Sequence, residues 1–297
     1  MQVIPLSAGF GARIVGANLN DPTPALRDAC WGAFDRYAVC VFEDAGLGDA
    51  GHVAFSRLFG GLEMAPRITA TSRRPRCSLP ELFDAGNIDA DGNVLADERR
   101  RLLNLGNRQW HTDSSFRPER SSYSMLLAHQ IPPTGGETEF ADMRAAYEAL
   151  PDATKQRIDG LTVVHSYWHS RQKVGYPEPT PEEASAIPGA RQPLILRHPR
   201  TGRPALYLAA HASHIEGMDV DEGRALLAEL TDFATQDRFL YLHDWKLGDL
   251  LVWDNLCTMH RATPFDDTRY PRDMRRTTVI DGSGVSPSPL GGEGGRA

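Results

Sequence analysis

His111 and Asp113, within Trp110-His111-Thr112-Asp113-Ser114-Ser115-Phe116, have the types and spacing to share one metal ion. On an extended strand side chains repeat every two residues, so an imidazole and a carboxylate would leave by the same face. A second imidazole from elsewhere would complete one face of an octahedron and leave three positions open, the pattern of non-haem iron(II) oxygenases. His260 is a candidate: the apolar run Leu250-Leu251-Val252-Trp253 leads into a turn-like Asp254-Asn255 pair and then to His260-Arg261. Taken alone, His-x-Asp is a weak signal and is far more often an ordinary surface or core pair, and a lone histidine is more often a satisfied core residue. Beyond it come Arg272, Arg275 and Arg276. On a strand Arg272 and Arg276 share a face while Arg275 points away. A guanidinium grips a carboxylate through two parallel hydrogen bonds, so this pair could hold two different carboxylates. In isolation such arginines are more often a solvated run of charge.

Other reactive types lack such company. His211 and His214 could form a second metal pair, but contact with the first site or its substrate pocket suits them better. His165 and His169 have helical spacing and no third ligand nearby. Cys257 has no adjacent base and reads as a small apolar residue. Gly135-Gly136 is not followed by Lys-Ser/Thr, which argues against a phosphate loop. The run Arg73-Arg74-Pro75-Arg76 reads as solvated.

The elements that must position these groups are short. Helical spacing covers Pro24 to Tyr37, and Asp49 to Phe59 before Gly60-Gly61. Ala38 to Phe42 is a continuous apolar run and reads as a buried strand. Further strands are expected at 121–128, 194–197, 205–209, 249–254 and 275–280, and helices at 143–150, 152–161 and 221–236. The segments 63–101 and 171–191 are poorly patterned and read as long loops over the fold. Residues 282–297 are rich in Gly, Ser and Pro and are expected to be a disordered tail. A single domain over 1–281 follows, mainly β with flanking helices, a sandwich or open barrel.

Bulk properties narrow the partners. The chain has 297 residues and a formal net charge of −7, which disfavours nucleic acid and anionic membranes. No stretch of about 18 apolar residues occurs, so no membrane span is expected. The N-terminus lacks the basic and apolar regions of a signal peptide. Cys30, Cys40, Cys77 and Cys257 are widely spaced and form no C-x-x-C pair, so reduced thiols in a cytoplasm are expected.

Taken together, these segments resemble the taurine / 2,4-dichlorophenoxyacetate dioxygenase family. The matching stretches are Asn107-Arg-Gln-Trp-His111-Thr-Asp113, Gly135-Gly136-Glu137-Thr138, Trp253-Asp-Asn-Leu-Cys-Thr-Met-His260-Arg261, and Arg272 with Arg276. Order and spacing fit over roughly residues 1–281. Within the family the likeness is strongest to 2,4-dichlorophenoxyacetate-type members, through His111-Thr-Asp-Ser-Ser-Phe116, Asp142-Met-Arg-Ala-Ala-Tyr-Glu-Ala-Leu-Pro151 and Ala210-His-Ala-Ser-His-Ile-Glu-Gly217. The resemblance implies a double-stranded β-helix, or jelly roll. It implies Fe(II) on His111, Asp113 and His260, 2-oxoglutarate on Thr138 and Arg272, and O2 as co-reactant. It implies a small acidic substrate on Arg276, with Asn107 adding a polar contact and His214 a substrate-side one, and a homo-oligomer, dimer or larger. The implied reaction is hydroxylation of an aryloxyalkanoate next to its ether oxygen. The alternatives are the same chemistry on a sulfonate, sulfate ester or other natural organic acid, and a catalytically silent binding protein. One departure is visible: no lysine occurs between Met1 and Gly106, where 2,4-dichlorophenoxyacetate-type members carry lysines near the substrate. The loop 63–101 therefore differs where the aromatic end of a substrate would lie.

Overall fold

A computed structural model of the chain describes residues 1–64 and 76–282. The strand Val39–Phe42 is apolar throughout because both of its faces are buried. It lies inside a seven-stranded sheet ordered Gln2–Pro5, Ala12–Val15, Val39–Phe42, Leu250–Asp254, Ser121–Gln130, Asp273–Ile280 and Phe83–Asp84. All pairs in it are antiparallel except Ala12–Val15 with Val39–Phe42.

Strand alternation sorts side chains between two cores. Val39, Val41, Leu126, Leu251, Trp253 and Met274 point into the first. There they meet Phe140, Ala141, Met259, Val163 and Ile215 of two smaller, three-stranded sheets. Those sheets are Leu240–His243, Thr138–Asp142, Thr258–Ala262, and Ala212–Ile215, Thr162–His165, Ala190–Pro193. Cys40, Phe42, Met125, Leu127, Leu250 and Val252 point the other way, onto the helices Pro24–Tyr37 and Asp49–Arg57 through Cys30, Ala33, Phe34 and Phe55. The molecule is a jelly roll with helices packed outside the larger sheet.

The first helix begins where its residues dictate. Thr23 caps it by accepting from the Leu26 N–H, and Pro24 fills a first-turn position where no N–H is needed. Three expectations need correction. The segment 63–101 contributes the strand Phe83–Asp84 and the start of the helix Glu98–Leu105. The segment 171–191 contains a helix, Pro181–Ala186, closed at its start by a capping box between Thr180 and Glu183. Arg76 is not solvated: it is enclosed and binds Asp84 and Asp273 at 2.6 and 2.8 Å. Arg73, Arg74, Pro75 and the tail 283–297 lie outside the described residues. Cys30, Cys40, Cys77 and Cys257 are all free thiols. Among the described residues no helix is long and apolar enough to cross a membrane.

Candidate metal centre and adjoining pocket

His260 sits on the strand Thr258–Ala262, held opposite Phe140 on Thr138–Asp142. His111 joins it through one isolated bridge: the His111 N–H donates to the His260 carbonyl at 3.0 Å, and the His260 N–H returns the bond at 2.8 Å. The two rings lie 4.2 Å apart. His111 and Asp113 are thus not on a regular strand, as the spacing had implied. The chain turns directly after the bridge, with Ser114 in the left-handed region at φ 55°, and Asp113 comes back beneath both imidazoles. His111 Nε2 lies 3.9 Å from Asp113 Oδ1, and His260 Nε2 lies 3.7 Å from Asp113 Oδ2. All three side chains are buried, and their donor atoms fall within 4.8 Å of one another.

This donor set fits a divalent ion. The Gln109 carbonyl can only accept, so His111 Nδ1 carries the proton of their 2.8 Å bond and Nε2 keeps its lone pair. Burial holds both imidazoles neutral, lowering the His260 pKa well below its usual value and the His111 pKa as well, against the pull of Asp113. Burial opposes ionisation of Asp113, but Arg276, His260 and His111 outweigh it and bring the carboxyl to about 2. Two neutral imidazoles and a carboxylate are therefore ready at neutral pH without first releasing protons.

Beside the triad lies a second group. Gly135 and Gly136 take φ values of 73° and 79°, and a Cβ at Gly135 would lie 2.4 Å from the Pro264 carbonyl. Only glycine fits that approach. The turn carries the chain into Thr138, which is buried between His243 and Ala262 on the two flanking strands. The indole N–H of Trp245 donates to Thr138 Oγ1 at 3.0 Å. Indole is a donor only, so the Thr138 hydroxyl hydrogen is left for another acceptor. Arg272 is buried, donates to the Gly136 carbonyl at 3.4 Å, and pairs with no carboxylate among the described residues. Burial alone lowers its pKa to about 10. A desolvated guanidinium without a counter-charge is costly and suits an anion. Arg272 and Asn107 line one pocket with Ala262, Thr263 and Phe265, and Asn107 also accepts from Arg171 at 3.4 Å.

Arg276 reaches the triad itself. Its guanidinium touches Asp113 Oδ1 and lies over the Phe83 ring, 5.0 Å from the centroid. Arg275 points to the opposite side of the sheet, binding Asp49 at 2.6 Å, as strand alternation required. A register shift between Asp273 and Met274 separates Arg272 from the regular strand.

His214 is not brought to this centre. It is half-buried and bound to Ser213 Oγ. His211 stands nearer. Its ring faces His111 edge-on at 6.1 Å and packs on Phe116 at 4.8 Å, while Nδ1 is bound to Ser115 Oγ. His165 ends a strand and His169 lies in the following helix, so they do not share the expected helical spacing. A second cluster, His198, Asp254 and Cys257, has metal-like spacing. Both His198 nitrogens are already engaged, by Asp254 Oδ2 at 2.8 Å and by the Arg200 and Thr201 N–H groups. Burial raises the Cys257 thiol pKa well above its usual value, so this cluster braces a turn.

The sequence matches the profile of the family described as "Taurine catabolism dioxygenase TauD, TfdA family" over residues 2–278. It is 45% identical over 247 residues to the alpha-ketoglutarate-dependent 2,4-dichlorophenoxyacetate dioxygenase of Burkholderia sp. (strain RASC), covering 83% of this chain and 82% of that one. It is 36% identical over 282 residues to the (S)-phenoxypropionate/alpha-ketoglutarate-dioxygenase of Sphingobium herbicidovorans, covering 90% and 91%. Among solved structures it superimposes on AAD-2, crystallised with Mn(II) and N-oxalylglycine, with a TM-score of 0.86 and 43% identity over 96% of this chain and 99% of that one.

Proposed function

The chain belongs to the taurine catabolism dioxygenase TauD, TfdA family, and from that membership we propose that it is an Fe(II)- and 2-oxoglutarate-dependent dioxygenase that hydroxylates an aryloxyalkanoic acid beside its ether oxygen. The observation that carries this reading is the buried His111/Asp113/His260 triad with the Arg276 guanidinium on it, together with the buried Arg272, which pairs with no carboxylate among the described residues. His111, Asp113 and His260 hold the iron. The hydroxyl of Thr138 and the guanidinium of Arg272 hold the distal carboxylate of 2-oxoglutarate. When bound, iron and 2-oxoglutarate would supply the electrons that activate O2, the cosubstrate being oxidised to succinate and carbon dioxide.

The protein's part is geometry, charge and exclusion of water. Arg276 grips the substrate carboxylate and so aims the neighbouring carbon at the metal face, with Phe83 flanking the guanidinium. Asn107 adds a polar contact from its place beside Arg272. Insertion of one oxygen atom into the C–H bond beside the ether gives a hemiacetal. For an aryloxyacetate this collapses to a phenol and glyoxylate. His214 gives a substrate-side contact in this reading, joined by His211, whose ring faces that of His111 edge-on.

Residues 1–281 act as one domain in this reading. The free cysteines support a reducing, cytoplasmic setting, and likeness to the family supports a homo-oligomer of two or more chains. Succinate release, measured across phenoxyacetates, both phenoxypropionate enantiomers and alkylsulfonates, tests the substrate class. Turnover confined to the aryloxy acids is expected; turnover confined to the sulfonates would overturn it.

A further inference from the structure

Four buried residues form one hydrogen-bonded chain that ends on the metal-binding carboxylate. The Trp253 Nε1–H donates to Asn255 Oδ1 at 3.0 Å, Asn255 Nδ2 donates to Ser124 Oγ at 2.9 Å, and Ser124 Oγ donates to Asp113 Oδ2 at 2.7 Å. Its direction is forced from both ends. Indole can only donate, which turns the Asn255 amide so that its NH2 faces Ser124. An ionised carboxylate can only accept, which commits the single Ser124 hydrogen to Asp113. Each of the three donors is at most 1% exposed, so no bulk water competes for these bonds.

The fold holds the chain rigid. Trp253 and Ser124 sit opposite each other on paired strands. The Asn255 N–H is tied to the Ser122 carbonyl at 2.7 Å. The intervening Asp254 fastens the turn, accepting from the Leu256 N–H and from His198. Trp253 also packs on the third ligand, its ring 4.7 Å from that of His260.

We propose that Trp253, Asn255 and Ser124 are positioning residues of the metal site, a one-way donor chain that fixes the plane of the Asp113 carboxylate before the ion arrives. The proposal rests on the reading of His111, Asp113 and His260 as ligands. Left with only Arg276 as partner, the carboxylate would be free to rotate towards the guanidinium and away from the two imidazoles. Residues that orient metal ligands in this way are commonly worth about 10- to 100-fold in metal affinity.

The test is Mn(II) binding to the metal-free protein, read from the electron paramagnetic resonance of the free ion, alongside the melting temperature without metal. Ser124→Ala and Asn255→Leu should each weaken Mn(II) binding about 10-fold or more. Trp253→Phe, which keeps a ring on His260 but loses the N–H, should fall between wild type and Ser124→Ala. Ser124→Thr, which retains the hydroxyl, should restore affinity. The double variant Ser124→Ala/Asn255→Leu should bind no more weakly than Ser124→Ala alone, since both cut one chain. Should Ser124→Ala fail to fold, Asn255→Leu and Trp253→Phe decide. Wild-type affinity in folded Ser124→Ala and Asn255→Leu overturns the proposal, as does failure of Ser124→Thr to restore it. Asp113→Ala separates the two claims: unchanged Mn(II) binding there would overturn the ligand assignment itself.

Discussion

The guanidinium of Arg276 rests on Asp113 Oδ1 and over Phe83. A substrate carboxylate offers this half-buried guanidinium a second anion, and truncating one partner of a desolvated charge pair costs roughly 2–5 kcal/mol. Arg276→Ala is therefore expected to lose about 30-fold or more in kcat/KM for its acid substrate, at about 1.4 kcal/mol per decade. Steady-state kinetics on a phenoxyacetate checks this; near-normal turnover would remove Arg276 from substrate binding. At this scale the sequence was informative where type and spacing coincide, as in His111-x-Asp113 and in Arg272 with Arg276. It was silent on Ser124 and Trp245, and it marked Asn255 only as part of a turn and a family stretch, not as a donor to Ser124. A hydroxyl, an amide and an indole carry no signature of their own, and Ser124 and Trp245 meet partners 131 and 107 residues away. His211, just before the strand Ala212–Ile215, brings its ring edge-on to His111, a neighbour that its position in the sequence does not reveal.

The elements that carry the site were the hardest to see. The helix Pro24–Tyr37 is written in its Thr-Pro start and its apolar spacing, and it forms over those residues. The strands Thr138–Asp142 and Thr258–Ala262 hold Thr138 and His260, and inward-facing polar groups break the alternation by which a strand is recognised. The helix Pro181–Ala186 has no buried residue, so it lacks an apolar stripe; only its capping box marked it. The Gly135-Gly136 turn leads directly into one of these strands. Gly135→Ala places a Cβ 2.4 Å from a backbone oxygen at φ 73°, so it should cost about 1–3 kcal/mol of stability. It should also weaken 2-oxoglutarate binding, because the adjacent Gly136 carbonyl anchors Arg272. Thermal melts with calorimetric titration of 2-oxoglutarate would show both losses. Unchanged affinity in a destabilised variant would separate the turn from the pocket.

Across the whole molecule, burial of uncharged histidines ties stability to pH. His52 and His165 are fully enclosed, and burial lowers their pKa values to about 4 and about 3. The unfolded chain binds protons at these sites below about 6.5, while the folded chain does not, so stability is lost as pH falls from about 6.5 towards 4. The melting temperature of the metal-free protein should fall steadily between pH 7 and pH 5; a flat profile would mean these rings are not held neutral. The fold class was legible from short strands and from family resemblance, but the strand order was not. The larger sheet places Leu250–Asp254 between Val39–Phe42 and Ser121–Gln130, pairings that no local pattern encodes. That order brings Ser124 and Trp253 side by side in one sheet, and the bridge to His260 joins His111 to its distant partner. Everything functional depends on whether this convergence holds one iron ion together with 2-oxoglutarate. The most direct measurement is the anaerobic visible absorption spectrum of the protein titrated with Fe(II) and 2-oxoglutarate. The account predicts a weak charge-transfer band that is lost in His260→Ala and Asp113→Ala and needs a higher 2-oxoglutarate concentration in Arg272→Ala. No band in the wild-type protein, or the same band in the His260 and Asp113 variants, would contradict it.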